Sequence, residues 1–218
     1  EQAANLVTSG MWLDYGMSLC MPVTVDEALA KRGDELLDVT IRGILSMRPL
    51  KIITEEGADK AFSYASWHMS GQERRWGDAG KCTYIPMAYS NKPEIYRKCL
   101  DVDIAFLSAP PMDRHGYFNF SLANSATRAI LDTAKTVVVE INEALPRCFG
   151  GFEECIHISD VDYVVEGGNH PLIELPSAPS SEVERRIAEH IVSQVKSGST
   201  IQIGIGGIPN SVGRLLAQ

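Results

Sequence analysis

Residues 136–141 read TVVVEI, a near-continuous β-branched run. Successive side chains of a strand point to opposite faces, so a strand apolar on both must lie in a sheet covered on both. Helices above and below a mostly parallel sheet satisfy that demand, and the rest of the chain supplies them in alternation. Strand patterns fall at 11–15 (MWLDY, closed by Gly16), 39–45, 103–108, 163–165 and 200–203, with a further apolar run at 50–53. Helix patterns fall between them. Thr24 and Glu27 read as a capping box opening a helix that ends near Gly33, and residues 122–134 read as another. Ser181 and Glu184 read as a second capping box, behind which Val183, Ile187, Ile191 and Val195 recur at spacing four until Gly198. Pro209 sits where a last helix opens. The expectation is an α/β fold, a mostly parallel sheet with helices on both faces.

Two stretches stand apart. Residues 57–92, rich in aromatics, Gly and Ser, show no clear period and read as irregular functional surface or interface. Residues 168–181 (GNHPLIELPSAPSS) carry three prolines and read as a linker-like segment within a 1–218 domain.

Composition removes several classes of function. A formal net charge of −8 argues against a nucleic-acid partner, which calls for a basic stripe. No apolar run reaches membrane-spanning length, and no basic-then-apolar leader opens the sequence, so a membrane partner is not expected. The cysteines, Cys20, Cys82, Cys99, Cys148 and Cys155, form no CxxC pair, and the histidines no HxxH or HExxH spacing. Free thiols in a reducing cytoplasm, with no metal site, are the expectation.

The chemistry-bearing feature is IQIGIGGIPNSVG, residues 201–213. A strand pattern feeding a helix through Gly204, Ile205, Gly206, Gly207 and Ile208 presents bare backbone N–H groups at a helix start, a place for an anion or oxyanion. The start of a dinucleotide fingerprint is present, but Pro209 stands where its third glycine belongs. Taken alone, the segment is equally compatible with a turn that only redirects the chain.

The same segment resembles the glycine segment of the acetyl-CoA hydrolase/transferase family. SGMWLDYG (9–16), SWHMSG (66–71), APPMDRHGYFNF (109–120), VVVEINEALPRCFGG (137–151) and IHISDVDYVVEG (156–167) resemble further segments of that family, in the same order. Within it they look most like members moving coenzyme A from butyryl-CoA to acetate, with those acting on 4-hydroxybutyrate nearest to them. The resemblance implies the NagB/RpiA/CoA-transferase-like fold, with this chain the N-terminal half of a two-domain protein. It implies no tightly bound cofactor, with coenzyme A as substrate held by Gly204, Ile205, Gly206, Gly207 and Ile208. A glutamate beyond Gln218 is implied as the nucleophile, so no catalytic residue is expected in this half, which alone should be inactive. The implied partners are acyl-CoA, short-chain carboxylates, the C-terminal half of the same protein, and further copies of the chain as a homo-oligomer. Hydrolysis of acetyl-CoA, and a non-catalytic α/β module, remain as alternatives.

Other residues invite functional readings. Asp113 and His115 in DRHG could act as a base, but a turn in which Asp113 caps amides explains the pattern more simply. His68 and Met69, between Trp67 and Trp76, could line a pocket or pack. His157 reads as a satisfied strand-end histidine. Glu140, Glu143, Glu153, Glu154 and Glu166 are the carboxylates available as alternative nucleophiles, Glu140 foremost because it ends the TVVVEI strand.

Overall fold

The computed structural model describes residues 1–174 and 179–218. They form two compact units, Glu1–Ile173 and Glu174–Gln218.

The first unit is built on a seven-stranded sheet. Its strands are β1 (Trp12–Tyr15), β2 (Val39–Gly43), β3 (Phe62–Ser66), β4 (Thr83–Tyr84), β5 (Val102–Ala109), β7 (Ala134–Ile141) and β9 (Tyr163–Glu166), in the order β4-β3-β2-β1-β5-β7-β9. Every pairing in it is parallel. Two short strands, β6 (Tyr117–Asn119) and β8 (Cys155–His157), pair antiparallel as a separate arm.

Period-two alternation sorts the sheet's side chains. Leu13, Tyr15, Val39, Ile41, Phe62, Tyr64, Ile104, Phe106 and Val138 face one core, which includes Val25 and Leu29 of α1 (Val23–Ala30) and Ile52 and Ile53 of α2 (Lys51–Thr54). Ala105, Leu107, Val137 and Val139 face the other. There they meet Tyr96 of α4 (Lys92–Cys99) and Ala129, Ile130 and Leu131 of α5 (Thr127–Thr133). The sheet is therefore mostly parallel with helices on both faces, as the TVVVEI run requires.

A buried ionic network lies on that second face. Arg42 Nη2 donates to Asp14 Oδ2 at 2.7 Å and to the Asp101 carbonyl at 2.5 Å. Tyr96 donates its hydroxyl to Asp14 and receives the Trp67 indole N–H at 2.9 Å. Burial raises the Asp14 carboxyl above its ordinary range, against the pull of Arg42.

Several boundaries differ from the sequence reading. Residues 57–92 are not irregular: they hold β3, α3 (Gly71–Asp78) and β4. α3 buries only Glu73, so its sequence carries no apolar stripe, and a Ser70–Glu73 capping box starts it instead. Apolar residues 50–53 lead into the short helix α2 rather than a strand. The helix expected at 122–134 begins at Thr127, because Ser121 and Ser125 adopt positive φ and interrupt the earlier turn. Residues 167–171 are tied down: Gly168 N donates to Thr24 Oγ1 at 2.9 Å, Asn142 Nδ2 to the His170 carbonyl at 3.0 Å, and Arg48 to the Pro171 carbonyl. Of the 168–181 segment, residues 175–178 lie outside the described residues.

The second unit holds α6 (Glu182–Val192) and α7 (Gly207–Leu216), packed on each other. The Ser181–Glu184 capping box is formed as expected. Residues 200–203, expected as a strand, form none. A ladder needs a neighbour to exchange hydrogen bonds with, and none runs beside this segment among the described residues. No helix among the described residues is long and apolar enough to cross a membrane.

Candidate functional site

In sheets of this topology, ligands sit beyond the strand C-termini where the strand order reverses, here between β1 and β5. The chain fills that place itself. Ser108 Oγ, at the end of β5, lies 3.1 Å from the Met21 carbonyl and 3.2 Å from Glu140 Oε1. Glu140, only 1% exposed, also accepts the amides of Thr24 at 3.2 Å and Val25 at 2.9 Å. Its oxygens are thus occupied by the start of α1. Burial raises its pKa, against the pull of the Val25 and Thr24 amides and the Ser108 hydroxyl.

This corrects the first expected capping box. α1 starts at Val23 behind Pro22 with no side-chain cap of its own, and the Thr24 hydroxyl turns to Gly168 and His170. A carboxylate more than a hundred residues away does the work expected of Glu27. Asp26 repeats the device for α2: its Oδ2 accepts the Lys51 amide at 2.6 Å, and burial pushes its pKa up to about 7. Glu73 does so for α3, accepting from Ser70 N at 2.6 Å and from the Tyr64 hydroxyl at 2.8 Å. Three helix starts in this unit are closed by buried carboxylates.

The other candidates resolve as structure. Asp113 accepts the amides of His115 (2.9 Å) and Tyr117 (3.0 Å), and Arg147 at 2.6 Å. The Tyr117 amide, then Arg147, hold its pKa down at about 2, so it is a turn cap and not a base. His115 is exposed, beside Arg114. Trp67 is core, Trp76 packs edge-on to Tyr64, Met69 packs beneath the sheet, and His68 is exposed. His157 ends β8, with Nδ1 2.9 Å from Ser159 Oγ and its ring against Tyr117. Glu143 and Glu166 are exposed, Glu153 pairs with Arg97 at 3.2 Å, and Glu154 receives the Gly150 amide. All five cysteines are free, Cys20 and Cys82 being buried and Cys99 exposed. Among the described residues no three His, Cys, Asp or Glu side chains come together as a metal site would need.

The glycine segment, in the second unit, is built differently. Gly206 precedes α7 at φ 134°, a conformation closed to residues with a Cβ. No side chain caps the helix, and its first internal bond runs from Asn210 N to Gly206 O. Among the described residues the amides of Ile205, Gly206, Gly207 and Ile208 have no partner. Beside them lies a cavity of about 180 Å³ whose lining includes Gln202, Ile203, Gly204 and Ile208.

Thus Gly204 and Ile208 face the cavity, while Ile205, Gly206 and Gly207 lie outside its lining, the Ile205 side chain in solvent. Only one of the three glycines is required by the backbone. A Cβ on Gly204 would meet nothing within 4 Å; Gly206 is required by its backbone angle; a Cβ on Gly207 would meet the flexible end of Glu184. Ser211 Oγ, 2.8 Å from the Gly207 carbonyl and 2.6 Å from Ser180 Oγ, fastens the first turn of α7. An uncapped helix start beside an apolar cavity can receive the negative oxygen of a ligand whose apolar part lies in the cavity.

Comparison with known proteins places the chain in a family. A family model described as acetyl-CoA hydrolase/transferase N-terminal domain matches residues 1–174, ending where the first unit ends. A butyryl-CoA:acetate CoA-transferase of Anaerostipes caccae is 44% identical over all of this chain and 49% of its own length. A probable butyrate:acetyl-CoA coenzyme A-transferase of Syntrophomonas wolfei is 40% identical over all of this chain and 48% of its own. The crystal structure of RipA from Yersinia pestis superposes with a TM-score of 0.86 at 28% identity, covering 99% of this chain and 52% of that one. The chain spans about half the length of the curated relatives it matches.

Proposed function

The chain belongs to the acetyl-CoA hydrolase/transferase family, and from that membership we propose that it is half of an enzyme that moves coenzyme A from a short-chain acyl-CoA of the butyryl type to a carboxylate such as acetate. The reaction proceeds by double displacement. A glutamate carboxylate, supplied by polypeptide beyond Gln218, attacks the thioester carbonyl; the C–S bond breaks, leaving an acyl–glutamyl anhydride and the coenzyme A thiolate. The thiolate attacks the glutamyl carbonyl and expels the acyl group as its free acid, giving a glutamyl-CoA thioester. Acetate then reverses both steps and departs as acetyl-CoA.

The open start of α7 supports this reading. Each attack turns a carbonyl oxygen into an oxyanion, and free amides held by a folded turn stabilise that charge without having to reorganise. Gly204 to Ile208 take this role, with the cavity beside Gly204 and Ile208 receiving the adjoining apolar part of the substrate. Glu140, the best-placed carboxylate of the first unit, is not free to serve as the nucleophile, because its oxygens are engaged by α1 and Ser108.

The test is butyryl-CoA incubated with the intact protein, with and without acetate. Acetyl-CoA that forms only when acetate is present supports transfer. Free coenzyme A released at the same rate without acetate identifies a hydrolase, and no reaction under either condition removes the proposal. Borohydride trapping of the glutamyl thioester, followed by peptide mapping, locates the nucleophile; a trapped residue within 1–218 would overturn the division of labour.

A further inference from the structure

The loop joining β7 to β8 ends its long approach in Phe149-Gly150-Gly151-Phe152. Phe149 is 93% exposed and Phe152 95%, more than any other large apolar side chain among the described residues. Free rings at a loop tip would mean little if the loop were loose. Its stems, however, are fastened on both sides.

Asn119 of β6 grips both strands of the loop: its Oδ1 accepts the Cys148 amide at 2.9 Å, and its Nδ2 donates to the Cys148 carbonyl at 2.8 Å and to the Glu154 carbonyl at 3.4 Å. Ser121 Oγ donates to the Pro146 carbonyl at 2.6 Å, Leu145 is buried, and Arg147 is paired with Asp113. On the returning side the Phe120 amide donates to the Glu154 carbonyl at 2.8 Å, and the Glu154 carboxylate accepts the Gly150 amide across the tip. The chain thus commits a set of stem hydrogen bonds, three of them part-buried, to holding two phenylalanines out in water, an arrangement that makes sense when something covers them.

We propose that Phe149 and Phe152 form an aromatic finger that docks into the remaining half of the same polypeptide. Two phenylalanines bury on the order of 300–500 Å² together, well short of the roughly 1,000 Å² that a stable contact between separate molecules needs. A tethered partner is free of that requirement, because linkage keeps its local concentration high. Relatives of this chain carry about as much polypeptide again, so such a partner is at hand. Glu153 and Glu154 beside the rings, on a chain of net charge −8, turn the finger away from anionic lipid surfaces. The choice of occupant rests on the two-half reading of the intact protein; the existence of the finger does not.

Hydroxyl-radical footprinting of the full-length protein tests this, with mass-spectrometric quantification of oxidised Phe149 and Phe152 at several protein concentrations, with and without acyl-CoA. The expected result is oxidation about tenfold slower than for a solvent-exposed phenylalanine, as for core-like contacts, and unchanged by dilution or ligand. Oxidation at the exposed rate would overturn the proposal. So would protection lost on dilution, which would assign the rings to a second copy, or protection gained only with acyl-CoA, which would assign them to substrate. The Phe149→Ser/Phe152→Ser double variant of the full-length protein should also melt at lower temperature, and an unchanged melting temperature would count against docking. Transfer activity, measured on the same samples, reports separately on the proposed reaction: protected rings on an inactive protein would leave the finger standing and the reaction in question.

Discussion

Helix α1 begins against Glu140, whose carboxylate takes the amides of Thr24 and Val25, whereas helix α7 begins on Gly206 with amides that have no partner among the described residues. Both starts carry the same orphan donors and the same positive end of a helix dipole. At α1 those donors meet the C-terminal end of β7, where an unpaired amide would be costly, and the fold supplies its own carboxylate. At α7 they open onto a cavity and solvent, and the fold supplies glycine instead. A buried carboxylate on a helix start does internally what an anionic ligand does externally. In this pair the closed start holds the scaffold together, and the open start leaves the free amides that the proposed site requires.

Substitution at Gly206 should break this contrast most sharply. Gly206→Val forces a β-branched residue into φ 134° and displaces the free amides. In the full-length enzyme kcat should fall at least about a hundredfold, the usual cost of losing an oxyanion donor, while circular dichroism stays that of a folded protein. Near wild-type turnover would end the assignment of the glycine segment.

Glu140→Ala is the mirror experiment. It strands the Thr24 and Val25 amides and leaves the Ser108 hydroxyl only the Met21 carbonyl. Chemical denaturation should show a loss of about 3 kcal/mol, from buried donors deprived of a charged acceptor. Turnover per folded molecule should stay near normal. A large drop in kcat with unchanged stability would instead make Glu140 part of the site.

Helix α4 sharpens the comparison from another side, because it begins on a cation. Lys92 is 1% exposed, its ammonium group has no hydrogen-bond acceptor among the described residues, and its Nζ lies 5.8 Å from the Tyr96 ring centroid. Burial lowers its pKa from 10.5 to about 8, against the pull of Asp14. At roughly 1.4 kcal/mol per unit, that costs the fold about 3 kcal/mol at neutral pH. Lys92→Met should therefore stabilise the protein by about 1–3 kcal/mol. Between about pH 8 and 10.5 the unfolded chain holds a proton that the folded chain has released, so wild-type stability should rise with pH through that window relative to the variant. Parallel pH profiles would show that Lys92 keeps its charge in the folded state.

The smallest effect is expected at Gly207→Ala. Its new Cβ displaces only the end of Glu184, so the loss is at most that capping contact, about 1 kcal/mol. Comparison with Gly206→Val then distinguishes a glycine needed for its angle from one that is merely present.

Much of this was legible in the residues. TVVVEI required a covered sheet, and the Ser181–Glu184 spacing announced the start of α6, because both signals are local and depend on periodicity or capping within a few positions. Residues 57–92 failed as a reading because α3 buries one glutamate and no apolar stripe, so its periodicity is silent although Ser70 and Glu73 carry the spacing of a capping box. Thr24 and Glu27 failed in the opposite direction. Their spacing is right, yet Glu140 outcompetes Glu27 from across the sheet, a contact no local pattern encodes. Residues 200–203 have the alternation of a strand without a neighbour to make them one.

Sequence alone settled the α/β architecture and the family and nominated the glycine segment, since each is written in order, period or identity along the chain. Only the tertiary structure decided which helix starts are closed and which is open, and which aromatic rings are core and which are held out in water. Those properties belong to groups brought together from distant positions, and burial, which sets the cost of an unpaired charge or amide, exists only once the chain has folded.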